Sequence, residues 1–185
     1  MTAFATQLDH ALNDLRTALQ DIHDAQVEAL TQLIVDAPRV FVAGKGRSGL
    51  PMRGFAMRLM HLGLQAHVID DVTTPAIAAR DLLIIGSGSG RTPSLVNYAW
   101  RARIEEAQVA LITTAADSPV AEKAHFILTL AATTPKTNGH ARSALPMGGV
   151  FETALGLLLD ITILQMMERM GTDERAMMTR HANLE

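Results

Sequence analysis

The 185-residue chain contains no cysteine. Disulfides, thiolate nucleophiles and cysteine-held metals are therefore excluded, and a reducing compartment is permitted without being demanded. Aromatic residues are scarce at 4%, with one Trp, one Tyr and five Phe, so Leu, Ile, Val, Ala and ten Met must fill any core. There is no basic block, and the formal net charge of -3 argues against a nucleic-acid footprint. The first residues lack the basic-then-apolar layout of a secretory signal. The most apolar run, Ala154 to Met167, contains Asp160 and falls short of the ~20 residues that a bilayer span needs. No two of the seven His stand in a His-x-His or His-x₃-His pair, so no protein-only metal site is expected. These absences lead to the expectation of a cytoplasmic protein that engages neither membrane nor nucleic acid.

What is present is a globular composition, 48% hydrophobic and 19% charged, in a length that suits one α/β domain. Two stretches organise it. The apolar run Val40 to Ala43 leads into Gly44-Lys45-Gly46-Arg47-Ser48-Gly49, and a helical pattern follows. The run Leu82 to Ile85 leads into Gly86-Ser87-Gly88-Ser89-Gly90-Arg91-Thr92, again before a helical pattern. A strand, a glycine turn and a helix start together offer backbone N–H groups and the positive end of a helix dipole to an anion.

Along the chain, Leu8, Leu12, Leu15, Leu19, Ile22, Leu30, Leu33 and Ile34 predict a helix over about 3–36, stopped at Ala37-Pro38. Its heptad-like stripe suits packing on its own domain or a seam shared with another subunit. Strands are expected near 39–43, 66–69, 82–86, 108–113 and 126–130, with helices near 47–62, 92–106 and 147–170 and short ones between. Residues 131–145, with His140, form the long polar stretch, and a loop of this length is usually either functional or mobile. Alternating strands and helices predict an α/β domain with a parallel sheet and right-handed crossovers. The expected layout is an N-terminal helix over 1–36, a sheet core over 37–130 and C-terminal helices with a tail over 146–185. Ligands on such sheets bind beyond the carboxyl ends of the strands.

The hydroxyls of Ser87, Ser89 and Thr92 can wrap a phosphate without a metal. A tight turn with a helix cap is the alternative for the same residues. Neither glycine loop has the spacing of a Walker loop or of a dinucleotide fingerprint. Arg47 and Ser48 suit sugar hydroxyls or the phosphate, or else a solvated Arg and an N-cap Ser. Glu152 opens the apolar C-terminal helix between Phe151 and Ala154. A carboxylate in apolar surroundings suits a proton shuttle, and one in a helix's first turn also complements the dipole. Asp160, about two turns on, is expected to be a paired structural carboxylate. His61 is expected to be packed, and His181 in the polar tail is placed to reach a neighbouring site.

Several of these stretches have a familiar form. Phe41-Val-Ala-Gly-Lys-Gly-Arg-Ser-Gly49, Phe55-Ala-Met-Arg-Leu-Met-His-Leu-Gly63, Thr74-Pro-Ala-Ile77, Gly86-Ser-Gly-Ser-Gly90 with Thr92, Pro146-Met-Gly148 with Phe151-Glu152, and Arg180-His-Ala-Asn-Leu-Glu185 resemble the 6-phospho-3-hexuloisomerases. These form a branch of the sugar isomerase (SIS) domain family, and the resemblance implies that family's three-layer α-β-α, flavodoxin-like fold with a five-stranded parallel sheet. The resemblance runs from about residue 39 to the end. It implies interconversion of D-arabino-3-hexulose 6-phosphate and D-fructose 6-phosphate through an enediol, without a cofactor. It also implies a place after hexulose-phosphate synthase in formaldehyde fixation, the ribulose monophosphate pathway, and a homo-oligomer, tetramer or dimer. By the same resemblance, Ser87, Ser89 and Thr92 hold the phosphate, and Gly46, Arg47 and Ser48 line the sugar end. Glu152 is the base, His181 assists ring opening or proton transfer, and His61 is a further candidate.

Two positions depart from the family pattern. Arg91 stands where Glu is expected, which adds positive charge beside the phosphate loop. Residues 143–146 read Ser-Ala-Leu-Pro, where Gln before the proline is more usual. A sugar-phosphate-binding SIS module without catalysis, and an SIS isomerase for another aldose–ketose pair, stand as the alternatives.

Overall fold

The computed structural model describes residues 2–132 and 144–184. Strands β1 (Val40–Gly44), β2 (Ala66–Val68), β3 (Leu82–Gly86), β4 (Gln108–Thr113) and β5 (Phe126–Thr129) form one sheet in the order β2-β1-β3-β4-β5. Every pairing is parallel. The expected sheet is thus present, and both faces are covered, as the unbroken apolar runs of β1 and β3 require.

Side-chain alternation along the strands divides the core in two. Val40 and Val42, Leu82 and Ile84, and Ala110 and Ile112 face one way. They pack against α2 (Asp24–Asp36), α3 (Gly49–His61) and α5 (Gly149–Met170). Phe41, Leu83, Ile85, Val109 and Leu111 face the other way, under α4 (Pro93–Ile104) and the turn at Val120-Ala121.

The expected helix over 3–36 is two helices, α1 (Ala3–Leu19) and α2. Ile22 N–H closes a tight turn on the Leu19 carbonyl at 3.0 Å. His23 N–H then donates to Gln26 Oε1 at 3.0 Å, which starts the second helix. Leu30 and Ile34 are fully buried, each contributing about 1.5–3 kcal/mol of apolar transfer. Leu15, Leu19 and Ile22 also pack on the core. Leu8 and Leu12, by contrast, are 45% and 52% exposed. The stripe therefore packs on its own domain only over its second half.

The long apolar helix runs further than its sequence core. With the preceding turn it spans Pro146–Met170, long and apolar enough by length and composition to cross a membrane. Half of its most apolar stretch is buried inside the domain, as in a core helix. Asp160 on this helix is exposed and makes no ion pair among the described residues, so the expected paired carboxylate is not found. A short helix, α6 (Glu174–Met178), follows the left-handed Gly171. Of the polar stretch 131–145, residues 133–143, including His140, lie outside the described residues.

Candidate functional site

The chain passes from β1 outward to β2, then crosses back to β3 on the other side of β1. The carboxyl ends of β1 and β3 therefore flank the switch point of the sheet, where a crevice must open. Both glycine loops emerge there, since Gly44 and Gly86 are register partners. The cleft between them is lined by Lys45, Gly46, Arg47 and Ser48 from one loop and by Ser87, Ser89 and Thr92 from the other. Phe151 and Glu152 at the start of α5 close it.

The first loop turns tightly. A side chain at Gly44 would meet the Ser48 carbonyl oxygen at 2.8 Å, and one at Gly49 would meet the Gly44 carbonyl oxygen at 2.8 Å. Ser48 caps α3 by position alone, with no side-chain hydrogen bond to the helix. Its hydroxyl is therefore not consumed by capping.

The second loop is braced from beneath. Thr113 and Thr114 hydroxyls both donate to the Gly88 carbonyl, at 3.0 and 2.8 Å. Val120 N–H donates to the Gly90 carbonyl at 3.1 Å. Ser87 Oγ accepts from Gly90 N–H at 3.2 Å, and Ser89 Oγ from Arg91 N–H at 3.4 Å. Thr92 sits at the N-cap of α4 without a side-chain cap bond. The N–H groups of Gly88, Ser89 and Thr92 donate to no partner among the described residues. With its carbonyls tied back and these donors open, the loop is suited to an anion.

Glu152 is delivered by an unusual entry to α5. Met147 and Gly148 are both left-handed, with φ of 57° and 84°, immediately before the helix. For Met this is a sparsely populated conformation, of the kind that gathers at functional sites. Arg47 Nε stands 2.9 Å from Glu152 Oε2. Yet that oxygen, buried, accepts no directed hydrogen bond from the described residues. The contact is one of charge, and a lone pair of Oε2 stays open for a proton.

Seven of the nine residues singled out in the sequence thus share one cleft: Gly46, Arg47, Ser48, Ser87, Ser89, Thr92 and Glu152. The other two do not reach it within one copy. His61 and His181 stack at 5.3 Å between ring centroids and line a separate cavity with Arg58, Asp160 and Glu174. His61 is buried, and Arg58 Nη1 lies 3.5 Å from its Nδ1. Burial, then the Arg58 charge, holds the His61 imidazole below its ordinary value of 6.5. Arg180 Nη1 donates to the His61 carbonyl at 3.2 Å, which pins the tail to α3. Lys45 and Met147 also line the cleft, although sequence reading gave them no role there. Lys45 was visible from its place between the two glycines of the first loop.

The SIS domain matches residues 33–154. The chain is 41% identical over 176 residues to 3-hexulose-6-phosphate isomerase of Bacillus subtilis (strain 168), covering 94% of this chain and 95% of that one. It is 39% identical to the protein of the same name from Mycobacterium gastri, covering 96% and 92%. A solved structure from Methanococcus jannaschii, for which a molecular function of 3-hexulose-6-phosphate isomerase was inferred, superposes with a TM-score of 0.86. That pair is 34% identical and covers 97% of this chain and 99% of the other. With a matched region well over half its length and such relatives along nearly all of it, the chain belongs to the SIS domain family.

Proposed function

We propose that this protein is a 3-hexulose-6-phosphate isomerase, interconverting D-arabino-3-hexulose 6-phosphate and D-fructose 6-phosphate. The observation that carries the reading is the meeting of Glu152 with both glycine loops in one cleft. The names of its relatives supply the substrate class.

Ser87, Ser89, Thr92 and the open N–H groups of their loop grip the phosphate. Gly46, Arg47 and Ser48 line the sugar end. Phosphate binding fixes the reacting carbons, so the proton transfer becomes intramolecular in effect. Glu152 removes the proton from C2 of the 3-ketose. The C–H electron pair forms the C2=C3 double bond, and the carbonyl pair moves onto O3. Arg47 stands beside the developing oxyanion and stabilises it. A proton passes from O2 to O3, the double-bond pair takes the proton back from Glu152 at C3, and the carbonyl is left at C2. Electrons and protons balance within the substrate, so the step needs no redox partner.

His61 and His181 reach a cleft only if a second copy brings its cavity there. We infer a homo-oligomer in which this occurs. Exposed Phe4, Leu8 and Leu12 on α1, with Leu157, Ile161 and Leu164 on α5, support such assembly. Sedimentation of the purified protein tests it, and a monomer at micromolar concentration contradicts it.

The assay for function offers 3-hexulose 6-phosphate and arabinose 5-phosphate in parallel. Conversion of the hexulose alone supports the proposal. Conversion of the pentose points to the other isomerase reading, and tight fructose 6-phosphate binding without turnover points to a sugar-phosphate sensor.

A further inference from the structure

Beside the cleft is a polar cluster that the reaction does not use. Lys45 Nζ donates to Asp70 Oδ2 at 2.5 Å and lies 3.3 Å from Tyr98 Oη. Tyr98 Oη donates to Asp70 Oδ1 at 2.6 Å. The ammonium also sits 5.3 Å from the centroid of the Tyr98 ring, within cation–π range. The three side chains come from the loop after β1, the turn after β2, and α4. Asp70 itself is held at φ +88°, where a residue other than glycine is uncommon. Its neighbour Asp71 is tied to Arg53 of α3 at 2.8 Å, so both carboxylates in the turn after β2 are anchored.

We propose that Lys45, Asp70 and Tyr98 form a clamp that fixes the first glycine loop against α4, and so act as positioning residues for the sugar end of the cleft. The inference rests on the reading of the cleft as a sugar-phosphate site. Two features give the clamp its purpose. At its left-handed Gly46 the loop borders open space among the described residues, so packing does not fix it there. And Lys45 is two residues from Arg47, whose guanidinium must stand at Glu152. The second loop and α4 are one continuous run, so the clamp also sets the span between the sugar end and the phosphate end. Charge-assisted bonds suit the task, because both partners stay ionised. The Asp70 bond holds the Lys45 ammonium above its ordinary value, and the Lys45 bond, then that of Tyr98, holds the Asp70 carboxyl below its own.

The chain's one tyrosine makes the clamp directly observable. Tyrosine labelled with ¹³C at Cζ gives a single NMR signal, that of Tyr98. In the free protein this signal should shift in Asp70→Asn and in Lys45→Met. An unmoved signal in both overturns the clamp, whatever the cleft binds.

Binding of inorganic phosphate, which needs only the second loop, is then compared with binding of fructose 6-phosphate, which needs both. Asp70→Asn, at a residue that does not line the cleft, should leave the phosphate Kd within about twofold and raise the fructose 6-phosphate Kd at least about fivefold. The double variant should be no worse than either single one, because the residues act as a unit. Tyr98→Phe keeps the ring and the Lys45–Asp70 pair, so it should fall between wild type and Asp70→Asn; being the mildest change, it stands in if the others fail to fold. Equal losses of phosphate and fructose 6-phosphate affinity would make Lys45 a ligand contact and overturn the positioning role. Unchanged affinity for both would overturn it too. A wild-type protein that binds phosphate but not fructose 6-phosphate would sink the functional reading and the sugar-end role together, while the tyrosine signal would still decide whether the clamp exists.

Discussion

Arg47 Nε and Glu152 Oε2 lie 2.9 Å apart and join the first glycine loop to the first turn of α5. The two side chains differ in exposure, 63% for Arg47 and 15% for Glu152. The cation is therefore free to follow a substrate oxygen, while the carboxylate stays where the helix puts it. Arg47→Met should lower kcat about 10- to 100-fold by removing positive charge from the oxyanion. Because the Arg47 side chain is itself largely exposed, its loss should lower the melting temperature by no more than a few degrees, even though the Glu152 end of the pair is buried. Steady-state kinetics with a thermal scan checks both.

The second glycine loop, where we propose the phosphate binds, depends on glycine at position 90. Its φ is +58°, and an added Cβ would lie 1.9 Å from Ser118 Oγ. Gly90→Ala should cost roughly 1–3 kcal/mol of stability through strain and displacement of Ser118. It should also weaken inorganic phosphate binding. Denaturant unfolding and phosphate titration measure the two effects; wild-type values for both would mean that the loop tolerates a side chain.

Acid should destabilise the fold through imidazoles that are wholly or partly buried. Burial lowers His61 and His67 from their ordinary value of 6.5. As pH falls through that value, the unfolded chain takes up protons that the folded chain refuses, so stability is lost. Above it both states are neutral at these sites, and the contribution is level. The melting temperature should therefore be flat from about pH 8 to 7 and fall between about pH 6.5 and 5. His61→Asn should flatten part of that fall.

Much of the fold could be read from local pattern. The apolar runs at 40–43, 82–85 and 108–113 are central strands because nothing but a doubly covered sheet accommodates them. The two glycine loops declared themselves by spacing, and parallel topology then brought them together. The break between α1 and α2 was hidden because the Leu and Ile stripe continues in step through Gln20–His23, and the bond that starts α2 is a Gln side chain on a His N–H. The Lys45–Asp70–Tyr98 cluster and the His61–His181 stack were not legible at all. They join residues far apart in sequence, whose meeting depends on how strands and helices are laid side by side.

The most direct measurement is single-turnover conversion of 3-hexulose 6-phosphate by Glu152→Gln, beside its binding of fructose 6-phosphate. Loss of the proton acceptor should slow conversion by at least about 10²-fold while affinity stays within a few-fold, since the amide keeps the shape of the carboxylate. Conversion at near the wild-type rate would mean that the proton travels by another group, and that Glu152 does not perform the chemistry of this cleft.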